Sequence, residues 1–534
     1  MVGTLFTGAG SLFSIGLKRE RIRIPLWMAG ITFFTLLVPG AFTELYPSQN
    51  DRMGIAETMR NPAMTALIGP GNLDNYTIGA MTVHQMLLFT ALTVAFMNIL
   101  LMSRHTRGDE EEGREEMLRA LPVGRLSHLQ ASFMLALVTN LLLALIIGVG
   151  LYALRIEGMF LEGSLLYGTA LGGIGLFFAG VTAISAQLVE TSRGTAGLTI
   201  AVLLFSYLAR GMTDINDQTW SWFSPLGWVT KTEAYTSNNW GPVLLMAIAA
   251  CLLLVAAYYL NAKRDIGTGL LPSKPGRAHA SWALSSPVGL SLRLQRTGMA
   301  AWGVGLLVMG LSYGSVLGDL EGFFEGNELL QQMLDEDDRL TIVEQFLPVL
   351  MVVVAILSSI PPLLSMLKLT GEERKGRVGH LLGRQISRQK LMASYLMVAA
   401  VNAFVMLSLA VIGLWVAGNA VMEEGLSFWF LYGAGMAYYP AFLVMLGLTM
   451  LLIGVLPNYT KLVWLYLAYS FMIVYWGGLF DLSDWAGKLS PYGHVPQVPI
   501  DEWTVLPVIV LIVCAVILAV GGFIGYAKRD IDAG

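Results

Sequence analysis

Long apolar runs alternate along this chain with short polar segments, and the alternation predicts a set of membrane-crossing helices. In the first half the runs fall at about Pro25–Tyr46, Thr82–Ser103, Ser127–Leu154, Leu165–Val189, Thr195–Met212 and Gly241–Asn261. Each is close to the roughly 20 apolar residues that cross a bilayer core. Between runs two and three lies an island of dense charge, RHTRGDEEEGREEMLRALPVGR (Arg104–Arg125), which reads as a short helical loop. A second island, GEERKGRVGHLLGRQISRQK, starts at Gly371 and is also flanked by apolar runs.

The two islands match in order. Gly113 pairs with Gly376, Arg114 with Arg377, Leu118 with Leu381 and Arg125 with Arg388, all at a spacing of 263. Leu17, Lys18, Arg21 and Trp27 recur as Leu292, Arg293, Arg296 and Trp302 at a spacing of 275. Leu166-Tyr167-Gly168 recurs as Leu431-Tyr432-Gly433, and Ser224-Pro225 with Gly227 recurs as Ser490-Pro491 with Gly493. Ala262-Lys263-Arg264-Asp265-Ile266 recurs as Ala527-Lys528-Arg529-Asp530-Ile531, at a spacing of 265. An ordered internal repeat decides the architecture before any local reading. The expected fold is an all-α polytopic membrane protein of about 12 transmembrane helices, arranged as two six-helix repeats (a pseudo-dimer). Residues 1–266 form the first repeat, 267–291 a Gly/Pro/Ser-rich linker, and 292–534 the second. Six is even, so both halves enter from one side and are parallel, with a pathway expected between them.

Composition supports this reading. Only 13% of residues are charged and 55% are hydrophobic, against about 25% charged in soluble domains. No stretch between the runs is long and mixed enough for a large soluble domain. Cys251 and Cys514 both sit in apolar runs, which argues against a disulfide framework. Lys18, Arg19, Arg21 and Arg23 follow the first apolar residues instead of preceding them, which suggests an interfacial helix and not a cleaved signal peptide. With the N- and C-termini cytosolic, all but seven of the 33 Lys and Arg residues fall inside. The seven are Arg52, Arg60, Arg155, Arg210, Lys231, Arg339 and Lys488, and the most acidic outer segment is Asp319–Arg339.

The chain carries no engine of its own. It has no G-x-x-x-x-G-K-[ST] to cradle ATP phosphates and no Cys/His spacing for a metal. No charge falls clearly at the middle of a run, where one costs about 2.5–3.5 kcal/mol and is kept mainly for function. The polar residues inside runs are Asn98, Asn140, Gln187 and Asn402. They serve either helix–helix hydrogen bonds or contact with a substrate along its path. His84 and Gln85 read as a wetted boundary, and Glu190 with Arg193 as a solvated pair in an inner turn. A membrane enzyme would have to use outer acids such as Asp214, Asp217, Asp481 and Asp484, which have no paired base. The matched islands carry the functional reading. A Gly that permits a turn and an Arg fork that binds a carboxylate, both duplicated, suit a helix docking into a cytosolic partner.

The arrangement RHTR-x-DEE-x-GR-x-E-x-LRA-x-PVGR resembles the permease subunits of bacterial ATP-binding-cassette exporters. The likeness is greatest to the fused twelve-span group assigned to export of polyketide antibiotics such as tetronasin. SPLGW (Ser224–Trp228) and Arg264–Pro272 extend the resemblance over essentially the whole chain. It implies that each island is a coupling helix seated in a cleft of a separate ATP-binding subunit, present in two copies. ATP and Mg would be bound there, with no cofactor on this chain. Carried over by position, the docking residues are Glu111, Glu112, Gly113, Arg114, Glu116, Leu118, Ala120, Pro122, Val123 and Arg125. In the second island Glu372, Glu373, Gly376, Arg377 and Arg388 are kept, while Gly379, Gly383 and Gln385 replace the pattern's later Glu and its Ala-x-Pro. The resemblance further implies a transport subunit without catalysis of its own, in a bacterial plasma membrane. Its cargo would be a hydrophobic, drug-like compound moving outward, with short outer helices between spans five and six capping the exit. The alternative is an ion-coupled transporter of the major-facilitator kind. Its loop between spans two and three should be basic, whereas GDEEEGREEMLR is acidic. Nothing in the chain suggests nucleic-acid binding.

Overall fold

The computed structural model describes residues 5–60, 62–216, 219–265, 267–271, 278–319, 342–384, 386–422, 425–476, 484–498 and 504–530. Most of the acidic segment expected at Asp319–Arg339, and Asp217, Gln385 and Asp481, lie outside these residues. The described residues are overwhelmingly helical, and 11 helices are long and apolar enough to cross a membrane. Where a twelfth is expected, the apolar helix Leu462–Trp476 has 15 described residues. The chain divides into two compact units, Met1–Gly276 and Arg277–Gly534.

The first unit opens with α1 (Ala9–Arg19), a short helix that ends in Lys18 and Arg19, and continues into the first span, α2 (Arg23–Leu45). Two short helices, α3 (Gln49–Met59) and α4 (Pro62–Ile68), fill the loop before the second span, α5 (Ile78–Glu111). Thr77 starts α5 by accepting a hydrogen bond from the Ala80 amide. At 34 residues, α5 is about 51 Å long at 1.5 Å per residue, well beyond a hydrocarbon core of about 30 Å. The first charged island is therefore not a loop, as its composition predicts, but begins as a continuation of span two. The helix widens into π turns at Val83–Leu87 and again at Arg104–Gly108, a deviation found often at functional sites. Then come α6 (Arg114–Arg119), α7 (Ser127–Ala153), α8 (Leu161–Leu188), α9 (Ser192–Asn216), α10 (Pro225–Thr230) and α11 (Gly241–Lys263).

Buried α8 packs against α5, α7 and α11. Its small residues let neighbours approach closely, which is how helices associate where lipid removes the hydrophobic driving force. Gly175 shows the constraint most sharply. A Cβ there would stand 2.1 Å from Asn140 Oδ1 and 2.7 Å from Asn98 Nδ2.

The second unit contains α12 (Pro287–Val316), α13 (Ile342–Arg374), α14 (Arg377–Leu382), α15 (Arg388–Val421), α16 (Phe428–Val455), α17 (Leu462–Trp476) and α18 (Val505–Lys528). Here α15 packs along α12 and α13, and α16 along α18. Pro348, Pro361 and Pro362 lie inside α13. Neighbouring helices in a membrane protein tolerate such breaks.

Candidate functional site

Each charged island folds as an elbow, a long span running through a left-handed glycine into a short helix. Gly113 has φ +72° and Gly376 has φ +68°. The amide of each turns back to the carbonyl three residues earlier, Glu110 O at 3.0 Å and Glu373 O at 2.8 Å. A positive φ after the last helical turn is the usual way a helix stops, and it explains why the two glycines match. The following helices, α6 and α14, each begin with the matched arginine.

In the first elbow Asp109 holds three elements together. Its carboxylate accepts from Arg19 on α1 at 2.7 Å and from Arg114 on α6 at 2.9 Å, and it stands 3.4 Å from His128 on α7. Glu20, only 2% exposed, lies 3.1 Å from His105, 3.4 Å from Arg104 and 3.6 Å from Arg23. Glu110 receives both arms of Arg264, at 2.7 and 2.9 Å, together with Arg107 at 2.9 Å and the Gly267 amide at 2.6 Å. Fully buried Arg107 also donates to Ala186 O and Thr268 O, each at 2.6 Å. Arg264 donates to Gln187 Oε1 at 2.7 Å, and Arg125 closes the ring by donating to Arg264 O at 2.8 Å. Two-armed Arg–carboxylate contacts are the strong, directional kind. Here one joins the elbow end of span two to the end of span six.

The second elbow repeats this plan with fewer groups. Glu372 pairs with Arg377 at 3.1 Å and Lys368 at 3.2 Å, and Glu373 pairs with Arg529 at 2.5 Å. Arg388 donates to Arg529 O at 2.6 Å, as Arg125 does to Arg264. The structural counterparts of Glu372 and Glu373 are thus Asp109 and Glu110, not Glu111 and Glu112. Glu111 and Glu112 are exposed at the tip, where Glu112 pairs with Arg114. The sequence contained the signal, because a spacing of 263 subtracted from 372 and 373 lands on Asp109 and Glu110. The repeated Ala-Lys-Arg-Asp-Ile motif also gains a role, since its Arg264 and Arg529 are the clamping residues.

The outward faces of the elbows differ. On the first, Met117 is 66% and Leu121 57% exposed, and Glu111, Glu112, Glu116, Ala120 and Pro122 around them are exposed too. Gly113, Leu118 and Val123 are half-buried. Met117 and Leu121 both line a largely apolar cavity of about 310 Å³ shared with Leu12 and Ile15 of α1. On the second elbow the equivalent positions are His380 and Arg384, and Arg374 and Lys375 replace the tip acids Glu111 and Glu112. All four are exposed, as is Arg377. Composition alone did not single out Met117 or Leu121, because one apolar residue per turn reads as ordinary amphipathicity.

The polar residues of the spans are placed internally. Asn98 and Asn140, both 0% exposed, exchange side-chain hydrogen bonds of 3.1 and 2.7 Å. Asn402 donates to Ser365 at 2.9 Å. His84 is buried rather than wetted, donating to Gly69 O and accepting from Tyr76, whose hydroxyl burial pushes up to about 12. Two charges missing from the expected span pattern are Arg210 and Asp214. They pair at 2.7 Å inside α9, and Arg210 donates to the Ala66 and Leu67 carbonyls at the end of α4. This arrangement makes Asp214 a structural partner and not a free acid. Ser224-Pro225 and Ser490-Pro491 each open a short helical turn, with proline at its first position.

The family model described as multidrug efflux system permease Rv1217c, C-terminal domain, matches residues 10–260 and 284–527. The multidrug efflux system permease protein Rv1217c of Mycobacterium tuberculosis is 30% identical over 534 residues, covering 99% of this chain and 96% of the relative.

Proposed function

The chain belongs to the family of the multidrug efflux system permease Rv1217c, and from that premise we propose that it is the membrane subunit of an ATP-driven exporter of hydrophobic, drug-like compounds. It is a multi-pass plasma-membrane protein. In this reading both termini and both elbows are cytosolic, and a separate P-loop ATPase, in two copies, binds ATP and Mg and docks on the elbows. The two units act as the paired six-span repeats, joined by the linker at 267–291. A polyketide antibiotic of the tetronasin kind is the cargo class that the sequence resemblance suggests.

The observation that carries the proposal is the exposed apolar pair Met117 and Leu121 on an elbow whose base is clamped on several sides. A docking face must be accessible, and its mount must be stiff enough to transmit force. Pressure on α6 passes through Arg114–Asp109 to α5 and α1, and through Glu110–Arg264 to the end of α11. The end of span two, the end of span six and the interfacial helix then move as one body. The matched Glu373–Arg529 pair does the same between α13 and α18. Under this proposal Arg114→Ala or Met117→Asp lowers substrate-stimulated ATP hydrolysis by the reconstituted complex, while membrane insertion of the chain is retained. Unchanged stimulation in both variants would overturn it.

A further inference from the structure

A cavity of about 430 Å³ opens in the first unit where α1, α2, α5 and the start of α9 meet. Three arginines line it: Arg23 at the first turn of α2, Arg104 at the π turn of α5, and Arg193 in the first turn of α9. One carboxylate, Glu20, faces them, and it is already shared among Arg23, Arg104 and His105. Arg193 is exposed and makes no ion pair among the described residues. The cavity therefore holds a surplus of positive charge. The 25-residue helix α9 opens on the same space, with Ser192 and Arg193 in the lining and Thr191 capping Gly194 just behind. A helix start adds partial positive charge and free amides. The remaining wall is apolar, with Trp27, Met97 and Leu100 in the lining.

The three arginines lie at the same end of three spans, the elbow end, where the apolar stretches give way to polar sequence. Basic residues above an apolar wall at that depth suit an anionic headgroup carried on an acyl chain. Trp27 is placed as an interfacial aromatic would be. The second unit has no counterpart, since Gly298 stands where the repeat spacing would place Arg23, and Leu367 where it would place Arg104.

We infer that this cavity binds the phosphate headgroup of an anionic phospholipid, held by Arg23, Arg104 and Arg193 with its first acyl carbons along Trp27 and Leu100. The site is separate from the docking faces of the elbows and does not depend on the ATPase reading.

The test is native mass spectrometry of the full chain in detergent, titrated with phosphatidylglycerol or phosphatidylcholine. One phosphatidylglycerol is expected to bind on the order of tenfold more tightly than phosphatidylcholine, from the attraction of the extra arginines. Arg23→Gln with Arg193→Gln removes the preference, and Arg21→Gln, outside the cavity, keeps it. Quenching by brominated phosphatidylglycerol that is lost in Trp27→Phe supports the same site without altering its charge. Displacement by glycerol phosphate at equal concentration would support the anion chemistry but assign it to a free phosphate. Equal binding of the two lipids, or a preference that survives in the double variant, overturns the proposal.

Discussion

At the scale of single residues, the structure separates acids that look alike in sequence. Glu110 and Glu112 are two positions apart, yet one is clamped by three partners and the other is exposed at the tip. Removing one member of a buried pair leaves an unpaired charge, at a cost of about 3–5 kcal/mol. Glu110→Ala should therefore lower the thermal unfolding temperature of the purified chain markedly, whereas Glu112→Ala should leave it nearly unchanged. Gly175→Ala should also destabilise, by about 1–3 kcal/mol, the usual cost of overpacking, because its Cβ would enter the Asn98–Asn140 pair. Gly113→Ala meets no neighbour within 4 Å, so its penalty is that of a left-handed backbone alone, about 1 kcal/mol or slightly more, and Gly113→Asn should recover part of it. The asparagine pair was legible as a pair of polar residues in spans, but its contact was not. Periodicity places a residue on a helix without saying which neighbour it meets.

At the scale of elements, the charged islands and their matched glycines were legible from spacing, and the left-handed conformation of Gly113 and Gly376 gives the physical reason. The extension of α5 as far as Glu111 was not legible, because composition marks a charged segment as outside the membrane but not as outside the helix. The elbows also diverge in a way the matched residues conceal. The first presents Met117 and Leu121 flanked by acids, and the second presents Arg374, Lys375, Arg377 and Arg384. An apolar contact resists salt, whereas exposed charge is screened as the Debye length falls from about 10 Å at 0.1 M to about 3 Å at 1 M. If both elbows dock on the ATPase, Met117→Asp with Leu121→Asp should leave residual binding that disappears at high salt. Arg374→Glu with Lys375→Glu should leave binding that persists there. Size-exclusion co-elution of the two subunits at both salt concentrations checks this.

At the scale of the whole molecule, the sequence carried the helical membrane architecture, and the two elbows recur at the spacing it showed. It did not carry the clamps that tie each elbow to its last span, since Glu110 and Arg264 lie far apart in the chain. Under the proposed function, those clamps are what lets a docked ATPase move the spans. The most direct measurement is purification of the tagged chain from solubilised native membranes, with identification of the co-purifying proteins and assay of ATP hydrolysis. The account predicts a soluble P-loop ATPase at two copies per chain, lost when Arg114 and Arg377 are both changed to Glu. A chain that purifies alone and hydrolyses no ATP would contradict it.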